Sequence, residues 1–242
     1  MFKNYMFDLY GTLIDINTNE WDIELWEKIA ILYGYKQAHY TAQELQADYG
    51  KYVEQEKKRV QKRFPEYTTI DIKIEKVFKK LFTAKNVKCT KKDVEAICTA
   101  FRCYSTVYIK LYDGVIDLLD TLKAKGKKIY LLSNAQRSFT ENELNMFGLM
   151  PYFDGVVISS DEECSKPDVH YYNTLIDRYG LDKSETIMIG NDYISDIRGA
   201  KKAGLKSLYI HQSISPEIEG ELVADYKVMD GDVYKIKELI VN

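Results

Sequence analysis

YMFDLYGTLID, residues 5–15, decides how the rest of the chain is read. Tyr5, Met6 and Phe7 form a short apolar run, as expected of a buried strand, and Asp8 ends it. Leu9, Tyr10 and a Gly11-Thr12 turn follow. A carboxylate at the end of such a strand can attack an electrophile and form a covalent ester, which splits one difficult step into two. Acid–base work would call for a second carboxylate two residues on, but the residue there is Tyr10.

Downstream, the pattern changes twice. Between residues 19 and 108 apolar residues recur at three- and four-residue steps: Trp21, Leu25, Trp26, Ile29 and Leu32; then Val77, Phe78, Leu81 and Phe82; then Val94, Ile97, Cys98 and Phe101. This spacing predicts several helices. From Asp113 helices alternate with short apolar strands: DGVIDLLDTLKAKG, KIYLLSN, SFTENELNMFG, GVVISS, DVHYYNTLIDRYG, ETIMIGND, ISDIRGAKKAG, KSLYIH, YKVM and VYKIKELIV. Gly126, Gly148 and Gly180 stand where helices should stop. Alternation of this kind implies an α/β fold, with parallel strands joined by crossovers and helices on both faces. The run 19–108 is then a helical insertion after the first strand.

In such sheets ligands sit outside the carboxyl ends of the strands. The polar residues expected there are Asp8, Ser133 with Asn134, and Asn191 with Asp192. Lys166 in SKPD and Asp196 in GNDYISD complete the set. Lys166 can neutralise clustered negative charge and keep Asp8 ionised. Ser133 and Asn134 offer a hydroxyl and an amide to anionic oxygens. Asp192 and Asp196 add carboxylates near Asp8, and carboxylates that repel one another are most simply reconciled by a hard cation such as magnesium.

The order DxYGTL, LLSN, KPD, GNDxxxD resembles the haloacid dehalogenase-type (HAD) hydrolase superfamily, over residues 1–18 and about 110–242. Residues 19–109 match only in position and helical character, as a cap domain. The resemblance implies a Rossmann-like core with a helical cap, and an aspartyl intermediate at Asp8. It most often implies magnesium-dependent phosphate-ester hydrolysis. On that pattern Asp8, Tyr10 and Lys166 are the catalytic residues, and Thr12, Ser133 and Asn134 hold the substrate or its loop. Asp8, the Tyr10 carbonyl, Asp192 and Asp196 form the Mg2+ site. Tyr10 itself is shared with the dehalogenase branch. Against that branch, Tyr193 stands where its Asn is expected, and no arginine occurs between Tyr10 and Arg59. A phosphatase of a small phosphorylated metabolite is the favoured expectation. A metal-independent 2-haloacid dehalogenase, or a low-activity binding or regulatory relative, is the alternative.

Composition is ordinary for a soluble globular protein: 242 residues, 45% hydrophobic and 29% charged. A net charge of −3 gives no default attraction to nucleic acid or anionic membrane, and the resemblance implies a small anionic substrate, a phosphate ester or a 2-halo acid, as the partner. No run approaches a membrane span and no leader is recognisable, so a cytoplasmic location is expected. The four cysteines (89, 98, 103 and 164) have no zinc-like spacing and read as reduced thiols. Tyr172 reads as a core-facing helix residue, and Trp21 and Trp26 as insertion core. The basic run 51–64 reads as a solvated face, or else as a surface that draws anions.

Overall fold

The computed structural model describes residues 2–241. Six strands form one parallel sheet: β1 (Asn4–Phe7), β4 (Lys128–Ser133), β5 (Gly155–Ile158), β6 (Thr186–Gly190), β7 (Lys206–Ile210) and β8 (Tyr226–Val228), in the order β5-β4-β1-β6-β7-β8. β1 pairs with β4 on one side and β6 on the other. The winding therefore reverses at β1, and the crevice of such a sheet opens at the carboxyl end of that strand. Asp8 is the residue that follows β1, and its N–H still donates to Ile189 O of β6 at 2.9 Å.

The strands are apolar without alternation because both faces are covered. Tyr5, Phe7, Ile129, Leu131, Ile187 and Ile189 point to one side. There they meet α5 (Val115–Ala124) and α10 (Tyr234–Ile240). Met6, Tyr130, Leu132 and Met188 point to the other side, towards α8 (Val169–Tyr179) and α9 (Gly199–Ala203). Tyr5 keeps its hydroxyl satisfied by donating to Ile240 O at 2.8 Å, which ties the central strand to the last helix.

The insertion has its own core. Helices α1 (Ile23–Gly34), α2 (Ala42–Arg63), α3 (Ile74–Ala84) and α4 (Lys91–Ser105) pack around Trp26, Phe78 and Phe101, and Phe139 of α6 (Arg137–Met146) joins them. Thr41 and Thr90 cap α2 and α4, the latter in a reciprocal capping box with Asp93. A two-stranded antiparallel ribbon, β2 (Ile14–Thr18) with β3 (Thr106–Leu111), carries the chain out of and back into the sheet region. Two expectations need correction. Residues 106–108 belong to β3 rather than to a helix, because Thr106, Val107 and Tyr108 are β-favouring and find a partner strand in β2. Trp21 is 84% exposed, at the turn before α1, whereas Trp26 is core.

Truncating Leu131, fully buried in β4, should cost about 2–5 kcal/mol of stability as Leu131→Ala. Trp21→Ala should stay within about 0.5 kcal/mol. Urea unfolding of the two variants side by side checks both.

Candidate active site

The turn after Asp8 is set by Gly11, whose φ of +83° favours glycine and whose missing Cβ leaves room for the Asn191 amide. Opposite, Gly190 closes β6, and a side chain there would collide with the Asp196 carboxylate. Residues 193–198 then form a single π-helical turn, a geometry frequent at functional sites. Asp192 starts that turn: its Oδ1 accepts from Ile194 N at 2.8 Å and Ser195 N at 2.9 Å, and its Oδ2 accepts from Ser195 Oγ at 3.1 Å. The turn brings Asp196 back beneath Asp8. Tyr172 supports it from α8, its hydroxyl donating to Ser195 O at 2.5 Å and Asp196 O at 3.2 Å. Tyr172 is fully buried, as a core-facing helix residue should be.

Lys166 is the centre. It is 3% exposed, and its Nζ donates to Asp8 Oδ1 at 2.6 Å and to Asp196 Oδ1 at 2.7 Å. Burial pushes the ammonium down, but the attraction of Asp196 and Asp8 outweighs it, so Lys166 is held above the usual lysine range. Burial raises the Asp196 carboxyl and Asp8 raises it further, against the pull of Lys166. These directions agree physically, because one positive charge shared by two carboxylates leaves one of them short of compensation. Asp196 Oδ2 takes the N–H of Asp192 at 2.9 Å, so both of its oxygens are occupied.

Asp8, Tyr10, Asn134, Lys166, Asn191, Asp192, Ser195, Asp196, Ile214 and Pro216 line a cavity of about 200 Å³ at the carboxyl ends of β1, β4 and β6. Of the expected residues, Asp8, Tyr10, Asn134, Lys166, Asp192 and Asp196 share this cavity, whereas Thr12 and Ser133 are buried and do not line it. Asn134 spends both ends of its amide on the Lys166 backbone, donating to its O at 3.0 Å and accepting from its N at 2.8 Å. Thr12 is buried and donates to Asn191 Oδ1 at 3.3 Å. The Ser133 hydroxyl, at the end of β4, is fully buried and without a hydrogen-bond partner among the described residues. A hydroxyl left so is a natural contact for a ligand oxygen.

Tyr10 turns away from the carboxylates. Its hydroxyl donates to Glu143 of α6 and lies 3.0 Å from Thr140 Oγ1. Arg102 of α4 grips the same Glu143, with Nε 2.6 Å from Oε1, and its guanidinium lies over the Tyr10 ring at 5.3 Å from the centroid. Burial and the Glu143 charge push the Tyr10 hydroxyl far above its ordinary value. Arg102 and Glu143 escaped the sequence reading because each occupies an unremarkable helix position. A glutamate on the buried face of α6 was the available signal. The basic run 51–64 is largely a solvated helix face, as the sequence reading expected, although Arg59 and Arg63 also reach the buried Glu163 at 2.8 and 3.0 Å.

No group of three or more Asp, Glu, His or Cys side chains forms a ready-made metal cage among the described residues. The donor chemistry nevertheless suits a hard cation. Asp8 and Asp192 line the same cavity, and Asp8 Oδ2 makes no hydrogen bond among the described residues. Magnesium typically asks for one or two carboxylates, with water and substrate phosphate completing the shell.

A family model described as haloacid dehalogenase-like hydrolase matches residues 2–204. A pyrimidine 5'-nucleotidase of Streptococcus pneumoniae is 29% identical over 119 residues, 49% of this chain and 50% of that protein. A pyrophosphatase of Halalkalibacterium halodurans is 30% identical over 128 residues, 51% and 59% of the two chains. The chain thus spans about half the length of the curated relatives it matches. A 2-haloacid dehalogenase of Pseudomonas syringae superposes with a TM-score of 0.64 at 18% identity, over 100% of this chain and 99% of that one, a likeness of fold.

Removing Lys166 should destabilise the protein by about 3–5 kcal/mol, because Asp8 and Asp196 lose their counter-charge. Adding Asp196→Asn to Lys166→Met should restore part of that loss. Thermal unfolding of the single and double variants measures it.

Proposed function

The chain belongs to the haloacid dehalogenase-like hydrolases, and we propose that within this family it is a phosphatase of a small phosphorylated metabolite. The observation that carries the reading is the charge balance of the cavity. One buried ammonium faces Asp8 and Asp196, with Asp192 on the same wall. That surplus of negative charge favours a site completed by a divalent cation. The unpartnered Ser133 hydroxyl, next to the cavity-lining Asn134, is available to a ligand oxygen, and the phosphate-cleaving names among the relatives support a phosphoryl group as that ligand. Residues 19–109 are read as a cap on the core.

In this mechanism Asp8 attacks phosphorus, the ester oxygen leaves with its bonding pair and takes a proton from water, and the phosphoryl group rests on the Asp8 carboxylate. Water then attacks the same phosphorus, gives up a proton to solvent, and returns Asp8 and inorganic phosphate. Lys166 orients Asp8, Asn134 fixes Lys166, and Asp196 anchors Lys166 from below. Ser133 donates to a phosphoryl oxygen, and Thr12 holds the loop through Asn191. Asp8, Asp192 and the Tyr10 carbonyl would hold a magnesium ion. When bound, that ion neutralises charge on the phosphoryl oxygens. Tyr10 supplies no proton, since its hydroxyl is committed to Glu143.

One observation favours a second reading, displacement of halide from a 2-halo acid by Asp8. Tyr10 stands where a phosphatase would carry its acid–base carboxylate. Arg102 does not help that reading, because its charge is already answered by Glu143.

Phosphate release from a panel of phosphate monoesters should require magnesium and vanish with chelator and in Asp8→Asn. Halide release from 2-halo acids that ignores chelator would establish the second reading instead. Tyr10→Phe should change kcat by less than about tenfold, against the 10²- to 10⁴-fold typical for loss of a general acid or base. Steady-state kinetics of that variant tests the point.

A further inference from the structure

None of the residues lining the nucleophile cavity comes from the helical insertion. The insertion reaches the site in another way. The segment between α2 and α3 runs alongside the loop that carries Lys166. Thr68 N and Oγ1 donate to Asp168 Oδ2 at 2.5 and 2.9 Å. Thr69 Oγ1 donates to Ser165 O at 2.7 Å, and Ser165 N returns a bond to Thr69 O at 3.2 Å. Ile70 and Cys164 form an antiparallel bridge, and Asp71 N donates to Glu163 O at 3.2 Å.

Asp71 ends this strap. Its Oδ2 accepts from Ser159 Oγ at 2.5 Å, and its Oδ1 accepts from Ile72 N at 2.7 Å and Gln136 Nε2 at 3.2 Å. Gln136 Oε1 in turn accepts from Ile74 N at 2.9 Å, so the two chains are buttoned together in both directions. Ser159 is fully buried, and its hydroxyl oxygen also accepts from Ala135 N at 2.8 Å. Ala135 follows Asn134, whose amide clasps the Lys166 backbone. A hydrogen-bonded path therefore runs from Asp71 through Ser159 to the Asn134 loop, and from there to the backbone of Lys166, whose ammonium holds Asp8.

We propose that Asp71 is a positioning residue for the reaction at Asp8: it fixes the Asn134 and Lys166 loops from the insertion, and full turnover depends on this contact. The proposal rests on the reading of Asp8 as the nucleophile. It assigns the insertion a part in catalysis distinct from lining the pocket. Positioning is sensitive to small displacements, and an error of about 1 Å can cost on the order of 10²-fold in rate.

Two measurements test it on the 242-residue chain. In the first, kcat and KM for p-nitrophenyl phosphate with magnesium are measured for Asp71→Ala, Ser159→Ala and the double variant. The expected result is a fall of about tenfold or more in kcat for each single variant, with KM little changed. The double variant should be no worse than the poorer single, since both cut one path. Unchanged kcat, or losses that multiply, would overturn the proposal. In the second, amide hydrogen exchange is compared between wild type and Asp71→Ala. Exchange at Ala135 and Lys166 should quicken by about tenfold or more while Phe7 in β1 stays protected. Unchanged protection at those amides would overturn the proposal whatever the substrate. Loss of protection in a protein that releases no phosphate would leave the strap's positioning part standing and overturn the phosphatase reading alone.

Discussion

The site depends on one buried ammonium. Lys166 lies between Asp8 and Asp196 with almost no access to water, and its Nζ bonds both carboxylates. Burying such a charge is costly unless it is paired and hydrogen-bonded, and much of the local architecture serves that condition. Asn134 clamps the Lys166 backbone, the π-helical turn returns Asp196 to it, Tyr172 braces that turn, and Gly190 leaves room for the carboxylate. The strap at residues 68–71 holds the Lys166 loop from outside. Stability and chemistry are thus joined at one residue.

The same arrangement gives Tyr10 a physical explanation. At the position where a second carboxylate would serve acid–base chemistry, the ring instead packs under Arg102 and the hydroxyl bonds Glu143. Tyr10 therefore connects the Asp8 loop to α4 and α6, which belong to the insertion and to the core. A side chain used in this way contributes packing and register rather than protons.

The parallel sheet was legible because its strands are short, apolar on both faces and spaced by helices with glycine stops. The convergence of Asp8, Asn134, Lys166, Asp192 and Asp196 followed from their places after strands or near them. Three features were not legible. The β2–β3 ribbon was missed because its second strand continues directly from α4, with no breaker at Thr106. The partners of Tyr10 were missed because Arg102 and Glu143 lie far from it in sequence, and only the packing of α4 on α6 brings them together. The ion pairs of Arg59 and Arg63 with Glu163 were missed because a solvated basic helix face looks the same in sequence whether or not its cations also reach a buried glutamate.

The central claim is that Asp8, held by Lys166, is the group that accepts the transferred phosphoryl. The most direct measurement is rapid acid quench during the first turnover with a phosphate monoester and magnesium, followed by mass spectrometry of the peptide that contains Asp8. A transient gain of one phosphoryl group on that aspartate is the expected result. First-turnover phosphate release with no adduct at Asp8, or with the adduct on another residue, would contradict the account.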